Sequence, residues 1–269
     1  MPPAQGWGAV VKIELSKQAF YEAWKHFKLG TKPIVLNVLS EGVLQSERRA
    51  AEQRAWDELR RIGFGDRDRE DDIYGLFLPL HRYERAFDVT FRRLVDGEQR
   101  KLSGMVANVR ANATLAVQTE DSVQLQALPA DSMVRALLSV LPDLKAGAGR
   151  AVSLRSAQLE KAAKEAGKSD LAMAEGLARN GVRRDDARAL IDMAGGMRTS
   201  FAQFGAAVMD GHGKRARGAV VTNCFANAKG WYFMEESRRS GEPWTTIAPI
   251  DKAKLAPRIQ DLLKTIPRD

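Results

Sequence analysis

Apolar residues recur along this chain in two registers, at alternate positions and at every third or fourth position, and the registers follow one another in the same order twice. Val11, Ile13 and Leu15 alternate with polar neighbours and lead to Ser16, which predicts a strand running into a capped helix. That helix carries Phe20, Ala23, Trp24 and Phe27 on one face, and its stop is expected at Gly30. Val152 and Leu154 alternate in the same way, Ser156 is placed to cap, and Leu159, Ala162, Ala163 and Ala166 form a stripe ending at Gly167. The closings match too. In QALPADSMVRALLSVLP and TIAPIDKAKLAPRIQDLLKTIP, Pro129 and Pro249 break a strand and Asp131 and Asp251 stand at a helix start. Val134, Leu137, Leu138, Leu141 and Leu255, Ile259, Leu262, Leu263 then repeat at helical spacing.

Between opening and closing, each half predicts helices and then strands. Residues 33–39, PIVLNVL, read as a short extended run; Ser46 is expected to cap the next helix, with Glu47 in its first turn, Arg60 and Arg61 in its last and Gly63 as its stop. A charged stretch, residues 66–72, leads into the apolar IYGLFLPL. Strands are predicted through Phe87, Val89 and Phe91 and, after a turn at Asp96 and Gly97, over residues 102–109, 114–119 and 123–128. The second half predicts helices over 170–179 and 184–194, then strands over 201–209, 217–225, 231–235 and 244–247. Short connections favour antiparallel meanders. The expected fold is α+β: a single, pseudo-twofold domain built by internal duplication of residues 1–145 and 146–269. Its two meanders join in one central antiparallel sheet flanked by helical bundles. A repeat of about 140 residues is far longer than the units of a solenoid.

Composition narrows the function. At 269 residues and 44% apolar, the chain sustains a substantial core. The net charge of +8 sits almost wholly in the second half, where 21 basic residues face 14 acidic ones; residues 1–145 carry 21 and 20. A cluster such as Lys214, Arg215 and Arg217 attracts phosphates or carboxylates, so a nucleic-acid or acidic-ligand binding module is the alternative reading. Aromatic and basic residues do not interleave as they do on base-stacking surfaces. No apolar run reaches membrane-spanning length, and MPPAQGWGAV has no basic region leading into one, so a soluble, cytoplasmic protein without membrane contact is expected. Cys224 is the sole cysteine, which rules out an internal disulfide and a multi-cysteine zinc site.

Catalytic patterns are missing from the sequence. His26, His81 and His212 are scattered, and no GxSxG elbow occurs. Gly167, Lys168 and Ser169 resemble the end of a phosphate loop, but its earlier glycine is Ala162 here. The acid pairs Asp71–Asp72, Asp185–Asp186 and Glu235–Glu236 read as solvated surface, and strand neighbours point to opposite faces. Cys224, in VVTNCFA, reads as a buried structural thiol. No enzyme, cofactor or metal is expected. Trp231, Tyr232, Phe233 and Trp244 read first as sheet core and second as a docking surface.

The second meander then carries specific phrases. QFG at residues 203–205, the basic turn at 214–217, the aromatic strand after Gly230 and GEPWTTIAPID at 241–251 occur in order, with VKIELSKQAF and LPADSMVRALL upstream. Together they resemble the EspG family, cytosolic chaperones of type VII (ESX) secretion systems. The segment TNCFANAKGWY departs from the family's more usual residues, with Trp231 where an arginine is common. The resemblance implies binding of the tip of the PPE subunit in PE/PPE heterodimers, keeping that tip soluble and delivering the pair for secretion. It places partner-binding residues at Asp96, Glu98 and Arg100, at Arg110, near Phe201 and Gln203, and at Lys214, Arg215 and Arg217. A homodimer through an uncovered sheet edge is a further expectation. The chain does not resemble a cargo, since it has no WxG and its one YxxxE, at residues 232–236, lies in an expected strand.

Overall fold

The computed structural model describes residues 12–167 and 169–267; Val11, Lys168 and the outer ends of both expected halves lie outside them. Strand β1 (Lys12–Ser16) runs into helix α1 (Lys17–His26), and the Ser16 hydroxyl accepts from the Ala19 N–H at 3.1 Å, as a cap does. The helix stops before Gly30. Lys28 adopts a left-handed φ of 54°, and the Leu29 N–H bonds back to the Trp24 carbonyl.

Residues 33–39 are not extended: Ile34–Leu36 form a 3-10 turn, and Leu36 and Val38 point into the helical layer with no strand ladder to join. Helix α2 (Gln45–Arg61) is capped by Glu47 and not by Ser46; the Glu47 carboxylate accepts from the N–H groups of Val43 and Leu44 at 2.9 and 3.0 Å. The charged stretch and IYGLFLPL together make α3 (Arg67–His81), which Asp66 caps. Strands β2 (Arg85–Val95), β3 (Glu98–Val109), β4 (Asn112–Gln118) and β5 (Ser122–Pro129) form the first meander, followed by α4 (Met133–Ser139). Asp131 caps nothing, because a 3-10 turn precedes α4 and the Ser132 hydroxyl donates to the Pro129 carbonyl instead.

The second half contains β6 (Val152–Arg155), α5 (Ser156–Ala166), α6 (Asp170–Arg179), α7 (Arg184–Ala194), β7 (Ser200–Met209), β8 (Arg215–Arg217), β9 (Thr222–Asn227), β10 (Gly230–Arg239), β11 (Glu242–Pro249) and α8 (Lys252–Asp261). Asp251 does cap α8, accepting from Lys254 N–H at 2.8 Å. Ser156 does not cap α5: its hydroxyl shares a buried hydrogen bond with Thr245, and the Gln158 side chain accepts from the Arg155 N–H. The strand expected over 217–225 is two strands, broken where Gly218 packs against Thr265 and Ile266 of the chain after α8.

All named strands join one antiparallel sheet in the order β1-β5-β4-β3-β2-β7-β9-β10-β11-β6, with β8 on β7. The order reads alike outward from the β2–β7 seam, where Val89 lies opposite Phe204 at the middle of the paired stretch. Side-chain alternation then sorts the core. Phe87, Val89, Phe91, Phe204 and Ala206 face α4 and α8, which cover the seam on one side. On the other side, α1 and α3 cover the first meander with α2 outside them, and α5 and α7 cover the second with α6 outside. These two helical groups stand apart, one on each side of the seam.

Candidate partner-binding surface

Beside the first helical group, an open groove of about 490 Å³ lies over the β2–β7 seam. Thr90 and Arg92 of β2, Lys101 and Ser103 of β3 and Gln203 of β7 form its floor, and Lys17 and Ile34 stand on its wall. Alternation explains the polarity: these residues point away from the α4–α8 layer, on the face that α1, α3 and the 3-10 turn Ile34–Leu36 cover only in part.

Asp88, 7% exposed, anchors the groove. It lies opposite Gly205 on β7, and Arg217 reaches it from β8 across that glycine. A Cβ at position 205 would stand 2.2 Å from an Arg217 Nη. The guanidinium donates from both Nη atoms, at 2.5 and 2.7 Å, to the two carboxylate oxygens. This bond is the main cause that raises the Arg217 pKa above its ordinary value. QFG and the basic turn are therefore parts of one device: the glycine makes room for the arginine.

The residues singled out from the sequence do not gather into one patch. Asp96 and Gly97, both at positive φ, form the β2–β3 hairpin tip. There Arg100 pairs with Glu98 at 2.7 Å and with Glu120 at 3.0 Å, tying the tip to the β4–β5 turn. Arg110 sits at the far end of β3, roughly 40 Å from the tip at the usual strand rise. Its backbone N–H bonds the Glu84 carboxylate at 3.1 Å. Arg215 donates to the carbonyls of Thr31 and His81, and the Lys214 N–H donates to Asp210 at 2.8 Å. With Arg215 and Arg217 engaged in bonds to the rest of the chain, the basic turn is a poorer phosphate cluster than its sequence suggests. Phe201 packs half-buried with the α5–α7 core, while Gln203 is exposed in the groove and donates to Asn223 at 3.0 Å. Only Gln203 and Arg217 of the singled-out residues line the groove.

Three of the four aromatic residues are sheet core, while Trp244 is half-buried with the Arg239 guanidinium over its ring. Trp231 and Phe233 point to the α4–α8 side; Tyr232 points to the other, its ring 5.6 Å from Phe225. The buried Cys224 thiol is pushed up to about 12 by its burial. Among the described residues no three His, Cys, Asp or Glu side chains are grouped to hold a metal ion, and no helix is long and apolar enough to cross a membrane.

Two features escaped the sequence reading. Ile34, Leu39, Val43 and Leu44 leave four large apolar side chains exposed around the start of α2, with Ile34 89% exposed beside the groove. Leu171, Ala174 and Ala178 of α6 face Ala187 and Ile191 of α7 across a trough of about 860 Å³. The spacing of those α6 residues gives that helix a second apolar stripe, opposite the one that buries Leu177. That stripe was the available signal.

A family model described as the EspG family matches residues 16–261. The structure of the Mycobacterium tuberculosis type VII secretion system chaperone EspG5 in complex with a PE25–PPE41 dimer is similar at TM-score 0.69 and 12% identity, over 96% of this chain and 97% of that one. An N-terminal dehydratase from a difficidin assembly line aligns at TM-score 0.12 and 9% identity, over 71% of this chain and 86% of that one, and carries no argument. No curated protein matches in sequence.

Proposed function

The chain belongs to the EspG family, and from that premise we propose that it is a cytosolic chaperone of a type VII secretion system. It binds the tip of the PPE subunit in a PE/PPE heterodimer, keeps that apolar tip soluble and directs the pair to its secretion machinery. The observation that carries the reading is the open seam groove with exposed Ile34 at its edge, in a chain that shares its fold with EspG5, itself solved with a PE/PPE dimer. Such a surface suits recognition of another polypeptide, and a chaperone needs differential binding without covalent chemistry. The proposal includes an origin by duplication of residues 1–145 and 146–269, which the palindromic strand order supports.

The test is co-expression of the chain with PE/PPE pairs of its own host, followed by size-exclusion chromatography. Retention of at least one pair in a stable complex is expected. If no pair is retained at micromolar protein, the proposal fails.

A further inference from the structure

Three cations around the seam groove stand where they oppose the stability of the chain itself. Arg92 and Lys101 are direct cross-strand partners on β2 and β3, and like charges so placed destabilise a sheet. Lys17 is the first residue of α1, whose first turn contains no acid, so its ammonium faces the positive end of the helix dipole. Among the described residues none of the three has an ion pair or a side-chain hydrogen bond. The anions lining the same groove are already committed, Asp88 to Arg217 and Glu120 to Arg100. All three cations line one concavity, where opposed fields add and low-dielectric walls focus them.

We infer that this groove receives carboxylate side chains at the end of a partner helix, held by Lys17, Arg92 and Lys101 while Ile34 and Val35 take the helix's apolar flank. The inference rests on the PE/PPE reading above and gives the docked tip its chemistry: an acidic, amphipathic helix end. A carboxylate between Arg92 and Lys101 turns a repulsive pair into two attractive ones, and one near Lys17 does the same for the helix start. The repulsion in the free chain is thereby released on binding, and a partner with a basic tip is turned away by the same charges.

The experiment uses the full chain with a PE/PPE pair that it retains, comparing wild type, Arg92→Glu and Lys101→Glu. Each reversal is expected to raise Kd about tenfold and to flatten the loss of affinity between about 50 and 500 mM salt. Thermal stability should hold or rise, because each variant replaces a like-charge pair by an opposite one, so lost binding cannot be laid to misfolding. Unchanged Kd in both variants overturns the inference and leaves the PE/PPE reading intact. If no pair binds the wild type, that reading fails. A synthetic amphipathic helical peptide with glutamates four residues apart, set against its glutamine counterpart, then decides the groove chemistry. Preference for the glutamate peptide, lost in Arg92→Glu, supports the inference, and equal binding overturns it.

Discussion

Arg217 holds Asp88 through both carboxylate oxygens across a strand that belongs to neither of them, and it does so in the space left by Gly205. The pair spans the seam: Asp88 is on β2 of the first meander and Arg217 on β8 of the second. Two half-sheets joined by a backbone ladder and a shared apolar core are thus also clamped by a charge-assisted bidentate bond.

Gly205→Ala should therefore act as a remote disruption of that bond. The added methyl collides with the guanidinium, Arg217 withdraws, and the buried Asp88 carboxylate loses its partner. The cost expected is about 2–3 kcal/mol, below the range for fully buried pairs because Arg217 is half exposed. Arg217→Ala should cost a similar amount, and the double variant little more than either single one, since both remove the same bond. Urea denaturation of the four proteins measures this; additive losses would show that the glycine acts independently of the arginine.

The two closing phrases look equivalent in sequence, yet they differ at their aspartates. Asp251 accepts from the Lys254 N–H, whereas Asp131 makes no cap bond. Asp251→Ala should lower stability by about 1 kcal/mol and Asp131→Ala by less than about 0.5 kcal/mol. Equal losses would mean that the aspartates act through the helix dipole and not through hydrogen bonding.

That contrast shows where sequence legibility ended. Periodicity located the helices over 170–179 and 184–194 and every meander strand except one, because their apolar faces are buried and register is fixed by burial. The caps differ from expectation at Ser46, which lies inside the first turn while the longer Glu47 side chain reaches back to the Val43 and Leu44 N–H groups, and at Ser156, whose hydroxyl bonds Thr245. PIVLNVL misleads because Leu36, in a 3-10 turn, and Val38, just after it, are buried two residues apart and mimic a strand's alternation. The open seam groove was not legible at all: it is created by how far apart two helical groups stand, a relation no local pattern encodes. Arg217 reads from the sequence as one charge of a basic turn, but its role depends on a glycine twelve residues earlier and an aspartate in the other half.

His81 sets an expected pH dependence. Its ring is driven below the ordinary histidine pKa of 6.5, first by burial and then by the charges of Arg215 and Arg82, and its Nδ1 is buried without a partner. The folded chain therefore holds the neutral ring, while the unfolded chain takes up a proton once pH falls below 6.5. The contribution is fully present above that value and is lost as pH falls from it toward the folded pKa. His81→Phe should flatten this part of the stability–pH curve relative to wild type. Parallel curves between about pH 7 and 5 would contradict it.

Leu171 offers a separation of binding from folding. It is 72% exposed at the trough between α6 and α7, so Leu171→Ser should change stability by no more than about 0.5 kcal/mol. A leucine that is bare in the free chain but covered in a complex contributes its burial only there, on the order of 1.5–3 kcal/mol when fully enclosed. If the docked PPE tip extends from the seam groove over the α5–α7 group, Leu171→Ser should weaken PE/PPE binding by about tenfold or more. This loss should be nearly independent of salt, whereas that of Arg92→Glu depends on it. Calorimetric titration at two salt concentrations distinguishes the two kinds of contact; an unchanged affinity for Leu171→Ser confines the interface to the seam.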